Sequence, residues 1–135
     1  MQKMTALATV ASALAAALAL IPAARADTTD DVVRYCAEFI NGATSTQRDG
    51  KAAVEYPDTH PAGVCWGYAD AMFYVFDFKA GDGGAMLGVC KPQGFAKSEL
   101  IRMFLDYVAR HPDAREHRPS WVFYWAAYER HPCPR

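Results

Sequence analysis

Four cysteines (Cys36, Cys65, Cys90, Cys133) and four histidines (His60, His111, His117, His131) are the side chains through which this chain could do chemistry. Thiols serve as nucleophiles, metal ligands, redox couples or structural bonds, and their spacing separates these uses. No two cysteines stand at C-x-x-C spacing, which argues against a thioredoxin-like couple and against c-type haem attachment. Scattered positions also suit zinc poorly. An even count in a small domain reads instead as a disulfide framework, with three connectivities open. Bonded thiols leave no nucleophile behind.

The remaining chemistry is sparse. His111 and His131 each precede a proline, a repeated form of helix-end punctuation, and an imidazole near a helix C-terminus also suits the dipole there. Asp113 and His117 lack the further ligands that a metal would need. The carboxylates form no recognisable acid–base pair; Asp70 and Asp77 lie two turns apart on one helix and are expected on a solvated face. There is no G-x-S-x-G elbow, and the Gly-rich stretch Lys79–Ala85 lacks the phosphate-loop pattern. No catalytic residue, cofactor or metal site is expected.

The elements that must carry these side chains read as four helices. Thr28-Thr29-Asp30-Asp31 suits a helix start, and Val32, Val33, Cys36, Phe39 and Ile40 recur at helical spacing, so a first helix is expected over Thr29–Asn41. Residues Gly42–His60 are polar, broken by Gly50 and Pro57 and without period. They are expected to be a loop, with at most a helical turn near Lys51–Tyr56. A second helix is expected from Pro61 to Phe78, apolar all round over Met72–Phe76, with a strand there as the alternative. The Gly-rich turn follows: either a connector with Met86 and Leu87 tucked inward, or an exposed binding loop tipped by them. Leu100, Ile101, Phe104, Leu105 and Val108 give a third helix over Lys97–His111, stopped by Pro112. Asp113–Arg118 is expected to be charged and solvated, and a fourth helix runs from Pro119-Ser120 to just short of Pro132.

On this layout Cys36 and Cys65 fall on the apolar stripes of neighbouring helices. Cys90 precedes the third helix and Cys133 follows the fourth, and those ends meet if the pair is antiparallel. The expected bonds are therefore Cys36–Cys65 and Cys90–Cys133, in an all-α, four-helix, disulfide-stapled domain. Trp121, Phe123, Tyr124, Trp125 and Tyr128 cannot all face one side of the fourth helix, so some are expected to be exposed or in an interface.

The first 26 residues read as a secretory signal peptide: Lys3, an apolar run from Thr5 to Pro22, then small residues at Ala24 and Ala26 with cutting expected after Ala26. No cysteine follows that site for lipidation. The mature domain is then 27–135, with no second run long enough to span a bilayer. Loss of Lys3 and Arg25 takes the net charge from −1 to about −3, which argues against nucleic acid or an anionic membrane surface as partner.

Cys65-x-Gly67-Tyr68, Cys90-x-Pro92-x-Gly94, a helix ending at His111-Pro112 and an aromatic helix ending at Pro132-Cys133 together resemble the Rap/Tai immunity proteins. The resemblance covers Cys36 to Cys133. It implies a periplasmic, disulfide-bonded, all-helical homodimer that blocks a peptidoglycan amidase delivered by type VI secretion, plugging its cleft with a protruding loop. The corresponding partner-binding residues here would be Lys79, Gly81, Asp82, Gly83, Met86 and Leu87. The Ser or Thr that caps the family's third helix falls at Ala96, and the Gly42–His60 stretch is this chain's own. The competing expectation is a periplasmic stress or chaperone-like helical protein that binds unfolded clients through exposed apolar surface.

Overall fold

Thr28 starts the first helix with a reciprocal cap: its hydroxyl accepts from the Asp31 amide at 3.2 Å, and its own amide donates to the Asp31 carboxylate at 3.2 Å. The computed structural model describes residues 26–134, so all but Ala26 of the expected leader lies outside the described residues. Helix α1 (Thr29–Asn41) buries Val32, Cys36 and Phe39 along one stripe. Helix α2 (His60–Val75) is capped by Thr59, whose hydroxyl accepts from the Ala62 amide and donates to Glu38 of α1 at 2.7 Å. Cys36 and Cys65, both fully buried, are bonded across the α1–α2 contact. Helix α2 ends about a turn short of the expected Phe78, because the amides of Asp77 and Phe78 tighten onto the carbonyls of Tyr74 and Val75. The strand alternative over Met72–Phe76 is not adopted.

Between α1 and α2 the all-α expectation fails. Strands β1 (Thr44–Arg48) and β2 (Lys51–Glu55) pair antiparallel, Thr44 opposite Glu55 and Arg48 opposite Lys51, which makes the chain mixed α/β. The two-residue turn between them is Asp49-Gly50, with φ of 53° and 73°. Two successive left-handed residues are what a type I′ hairpin requires, and Asp-Gly is among the sequences that supply them most cheaply. The expected helical turn near Lys51–Tyr56 is therefore a strand. Only Thr46 and Ala53, directly opposite each other, are even half-buried. The hairpin is held at its root instead, where Tyr56 stacks on Phe39 with centroids 4.2 Å apart.

Helix α3 (Lys97–Arg110) and helix α4 (Pro119–Arg130) form the second half. Leu100, Ile101, Phe104 and Val108 interlock with Val122, Phe123, Ala126 and Ala127, and Phe104 stacks on Phe123 at 4.1 Å. Burial of this kind stabilises by about 1.5–3 kcal/mol for each large side chain. The connection that the sequence presents as solvated is a 3-10 turn over Pro112–Glu116 that buries Ala114. It is tied to α1 twice: the Thr29 hydroxyl donates to the His117 carbonyl, and Arg115 pairs with Asp30. At the open end Cys90 and Cys133 are bonded. Backbone bonds from the Cys90 amide to the His131 carbonyl (2.8 Å) and from the Cys133 amide to the Gly88 carbonyl (2.9 Å) flank that bond.

Two stability predictions follow from these caps and clasps. Ala96 occupies the N-cap of α3 in extended geometry and makes no side-chain cap bond, while Glu99 already stands at the third helical position. Ala96→Ser completes a capping box and should raise stability by about 1 kcal/mol in thermal melts, with no gain from Ala96→Val. Reduction of both disulfides should lower the melting temperature by about 20 °C or more, since each bond contributes about 2–4 kcal/mol. An unchanged melt under reductant would contradict that assignment.

Candidate protein-binding surface

Helix α4 sorts its aromatics by period. Phe123 points into the core, while Trp121, Tyr124, Trp125 and Tyr128, at i, i+3, i+4 and i+7, run along the outer side. Trp121 is 54% and Tyr128 42% exposed, and Tyr124 and Trp125 are half-buried. Their rings touch in sequence: Trp121 to Tyr124 at 6.1 Å, Trp121 to Trp125 at 6.2 Å and Tyr124 to Tyr128 at 5.8 Å. The result is a continuous aromatic ridge.

Beside the ridge lies the Gly-rich turn, which is an ordered structure. Lys79 bridges Ala85, the Met86 amide donates to the Phe78 carbonyl at 2.9 Å, and the Ala80 amide donates to the Gly84 carbonyl at 2.8 Å. Asp82 accepts from the Gly84 amide at 2.9 Å, which turns the tip back on itself. Lys79, Gly81, Asp82 and Gly83 are exposed, and Met86 is 58% exposed. The two expectations for Met86 and Leu87 therefore divide: Met86 projects outward, and Leu87 turns inward. The Tyr124 hydroxyl donates to the Leu87 carbonyl at 3.3 Å, which joins turn to ridge. Between them Met72, Leu87, Ser120, Trp121 and Tyr124 line an open, largely apolar groove of about 420 Å³.

The partner-binding residues expected from sequence thus share one surface, and three helical residues missing from that set, Trp121, Tyr124 and Tyr128, complete it. Their spacing was the available signal. Phe78, 57% exposed at the base of the turn, extends the apolar rim. Such a surface can hold a protein by burying aromatic and thioether side chains, with few charges to desolvate.

The other candidates are tied into the scaffold. Asp70 pairs with Lys97, and Asp77 with Lys91 at 2.8 Å, so neither carboxylate sits on a merely solvated face. The hydrogen bond to Asp70 is the main cause holding the Lys97 ammonium above its usual range. Lys91 also donates to the Phe73 carbonyl at 3.0 Å and lies 3.6 Å from the centroid of that ring. His131 packs edge-on against Phe95 at 5.2 Å. Among the described residues no group of three or more His, Cys, Asp or Glu side chains is close enough to hold a metal ion.

No protein-family model matches the chain, and it matches no curated protein and no solved structure. The resemblance to the Rap/Tai proteins therefore rests on the motifs quoted above. The two disulfides are those of a protein matured in an oxidising compartment, outside the cytosol. Among the described residues no helix is long and apolar enough to cross a membrane.

Gly88 sets the seam between turn and ridge. Its φ is +67°, and a Cβ there would lie 3.3 Å from the Tyr128 ring. Gly88→Ala should cost about 1–3 kcal/mol in denaturant titrations, because the left-handed backbone and the ring contact both resist it. Gly81→Ala, where a Cβ would meet nothing within 4 Å, should leave stability within about 0.5 kcal/mol of the parent.

Proposed function

We propose that this chain is an exported immunity-type protein that binds a cell-wall peptidoglycan amidase and blocks its active-site cleft. The leader-like first 26 residues would direct it to the periplasm, where the amidase acts after delivery by type VI secretion. The observation that carries the reading is the Gly-rich turn set against the aromatic ridge of α4: a hydrogen-bonded projection with Asp82 at its tip and the exposed Met86 at its base, and an apolar groove behind it. A turn held by its own hydrogen bonds loses less ordering entropy on docking into a cleft. The motif series from Cys65-x-Gly67-Tyr68 to Pro132-Cys133, in a domain that is disulfide-bonded as that resemblance implies, supports the same reading. The inhibitor would act as a homodimer and need no catalytic residue of its own.

A chaperone-like reading draws on a different surface. The outward side of α2 carries Gly67, Ala71 and the exposed Tyr74. Exposed apolar surface of that kind suits weak, promiscuous clients, whereas an inhibitor needs one tight partner.

The test is titration calorimetry of the mature oxidised chain against the product of the neighbouring reading frame, with peptidoglycan amidase activity followed in parallel. Nanomolar binding with loss of hydrolysis is expected. The double substitution of Asp82→Ala with Met86→Ser should weaken that binding by about 100-fold, as central contacts do, while the melting temperature stays nearly unchanged. Binding that survives this change moves the contact away from the turn, and binding instead to unrelated unfolded proteins favours the chaperone-like reading.

A further inference from the structure

On the other flank of α4 from the groove, Trp125 faces the 3-10 turn rather than the Gly-rich turn. There Tyr107, His111, Asp113, Ala114, His117 and Trp125 line a recess of about 200 Å³. Four of those six residues are aromatic rings, in two packed pairs. His117 stands edge-on to Trp125 at 4.9 Å, and Tyr107 lies against His111 at 4.3 Å. Asp113 is the one carboxylate in the lining, and among the described residues it has no ion-pair partner.

The neighbouring cations are already committed. Arg110 pairs with Asp106 (3.2 Å) and Glu129 (2.7 Å), Arg130 with Asp106 (2.9 Å), and Arg115 with Asp30. The Tyr107 phenol is pushed above its ordinary range by burial first and then by the carboxylates of Glu129 and Asp113, against the opposing pull of Arg110. Arg110 itself lies 5.9 Å from the Tyr107 centroid, so this ring already accepts a cation on one face.

We propose that this recess binds a compact alkylammonium ion, caged by the Tyr107, His111, His117 and Trp125 rings and held by the free carboxylate of Asp113. Aromatic faces are electronegative, and a positively charged head without strong directional hydrogen bonds is what a set of such faces recognises. The volume supports a headgroup rather than an extended ligand, since pockets for drug-sized molecules run to about 300–1,000 Å³. An anion is disfavoured because the lining offers a carboxylate and no lysine or arginine. A transition metal is disfavoured because His111, His117 and Asp113 are not clustered as a ligand set.

The experiment is an aromatic-region NMR titration of the mature, disulfide-bonded chain with choline chloride, at constant ionic strength and constant pH. The control is 3,3-dimethylbutan-1-ol, which has the same shape without the charge. Choline should give saturable shifts of the Trp125, Tyr107 and His117 ring resonances with a millimolar dissociation constant, and the alcohol should give none. Asp113→Asn, an exposed change that leaves the core alone, should weaken choline binding about tenfold. Trp125→Leu should abolish it. Equal shifts with the neutral alcohol, no saturable response to choline, or an unchanged affinity in Asp113→Asn would each overturn the proposal. So would zinc chloride saturating the imidazole resonances where choline leaves them unmoved.

Discussion

The bond between Cys90 and Cys133 closes the α3–α4 hairpin at the end where its two helices would otherwise separate. Because Val89 and Pro132 form a bridge beside it, and the Cys133 amide reaches back to the Gly88 carbonyl, the clasp fixes backbone as well as sulfur. Gly88 is the last residue of the stretch that carries the Gly-rich turn. The clasp therefore sets where that turn stands relative to α4, and the contacts of Tyr124 with Leu87 and of Tyr128 with Gly88 both depend on it. A covalent constraint at one end of a helical pair thus decides the shape of a surface that its sulfurs do not touch.

The Cys36–Cys65 bond plays a different part, buried where α1 crosses α2. Helix α2 is apolar on nearly every side, and its burial alone would not choose which face turns inward. The disulfide makes that choice, with Ala62, Ala69 and Met72 following Cys65 into the core. Lys91 and Lys97 then pin the helix from the other half of the chain through Asp77 and Asp70, each ammonium lying over an aromatic ring. Charge holds the two halves together at the rim, where apolar packing runs out.

The helices and both pairings were legible because a half-buried helix must repeat its apolar residues, and Cys36 and Cys65 sit on those repeats. The hairpin was hidden for the converse reason: with only Thr46 and Ala53 even partly covered, its strands have no buried face to impose an alternation. Asp49-Gly50 was its one local signature, and among the surrounding polar residues it passed for a loop. The 3-10 turn was missed because a single buried residue, Ala114, makes no pattern. The Gly-rich turn was visible as a turn. The groove behind it was not, since Met72, Ser120 and Trp121 come from two helices and meet only in three dimensions.

The two disulfides are consecutive along the chain and not interleaved, enclosing separations of 29 and 43 residues. Each half can therefore oxidise on its own. Cys65 lies nearly as far in sequence from Cys90 as from Cys36, so entropy of loop closure alone hardly distinguishes the two pairings. The packing of α1 against α2 makes the distinction instead, by burying Cys65 beside Cys36.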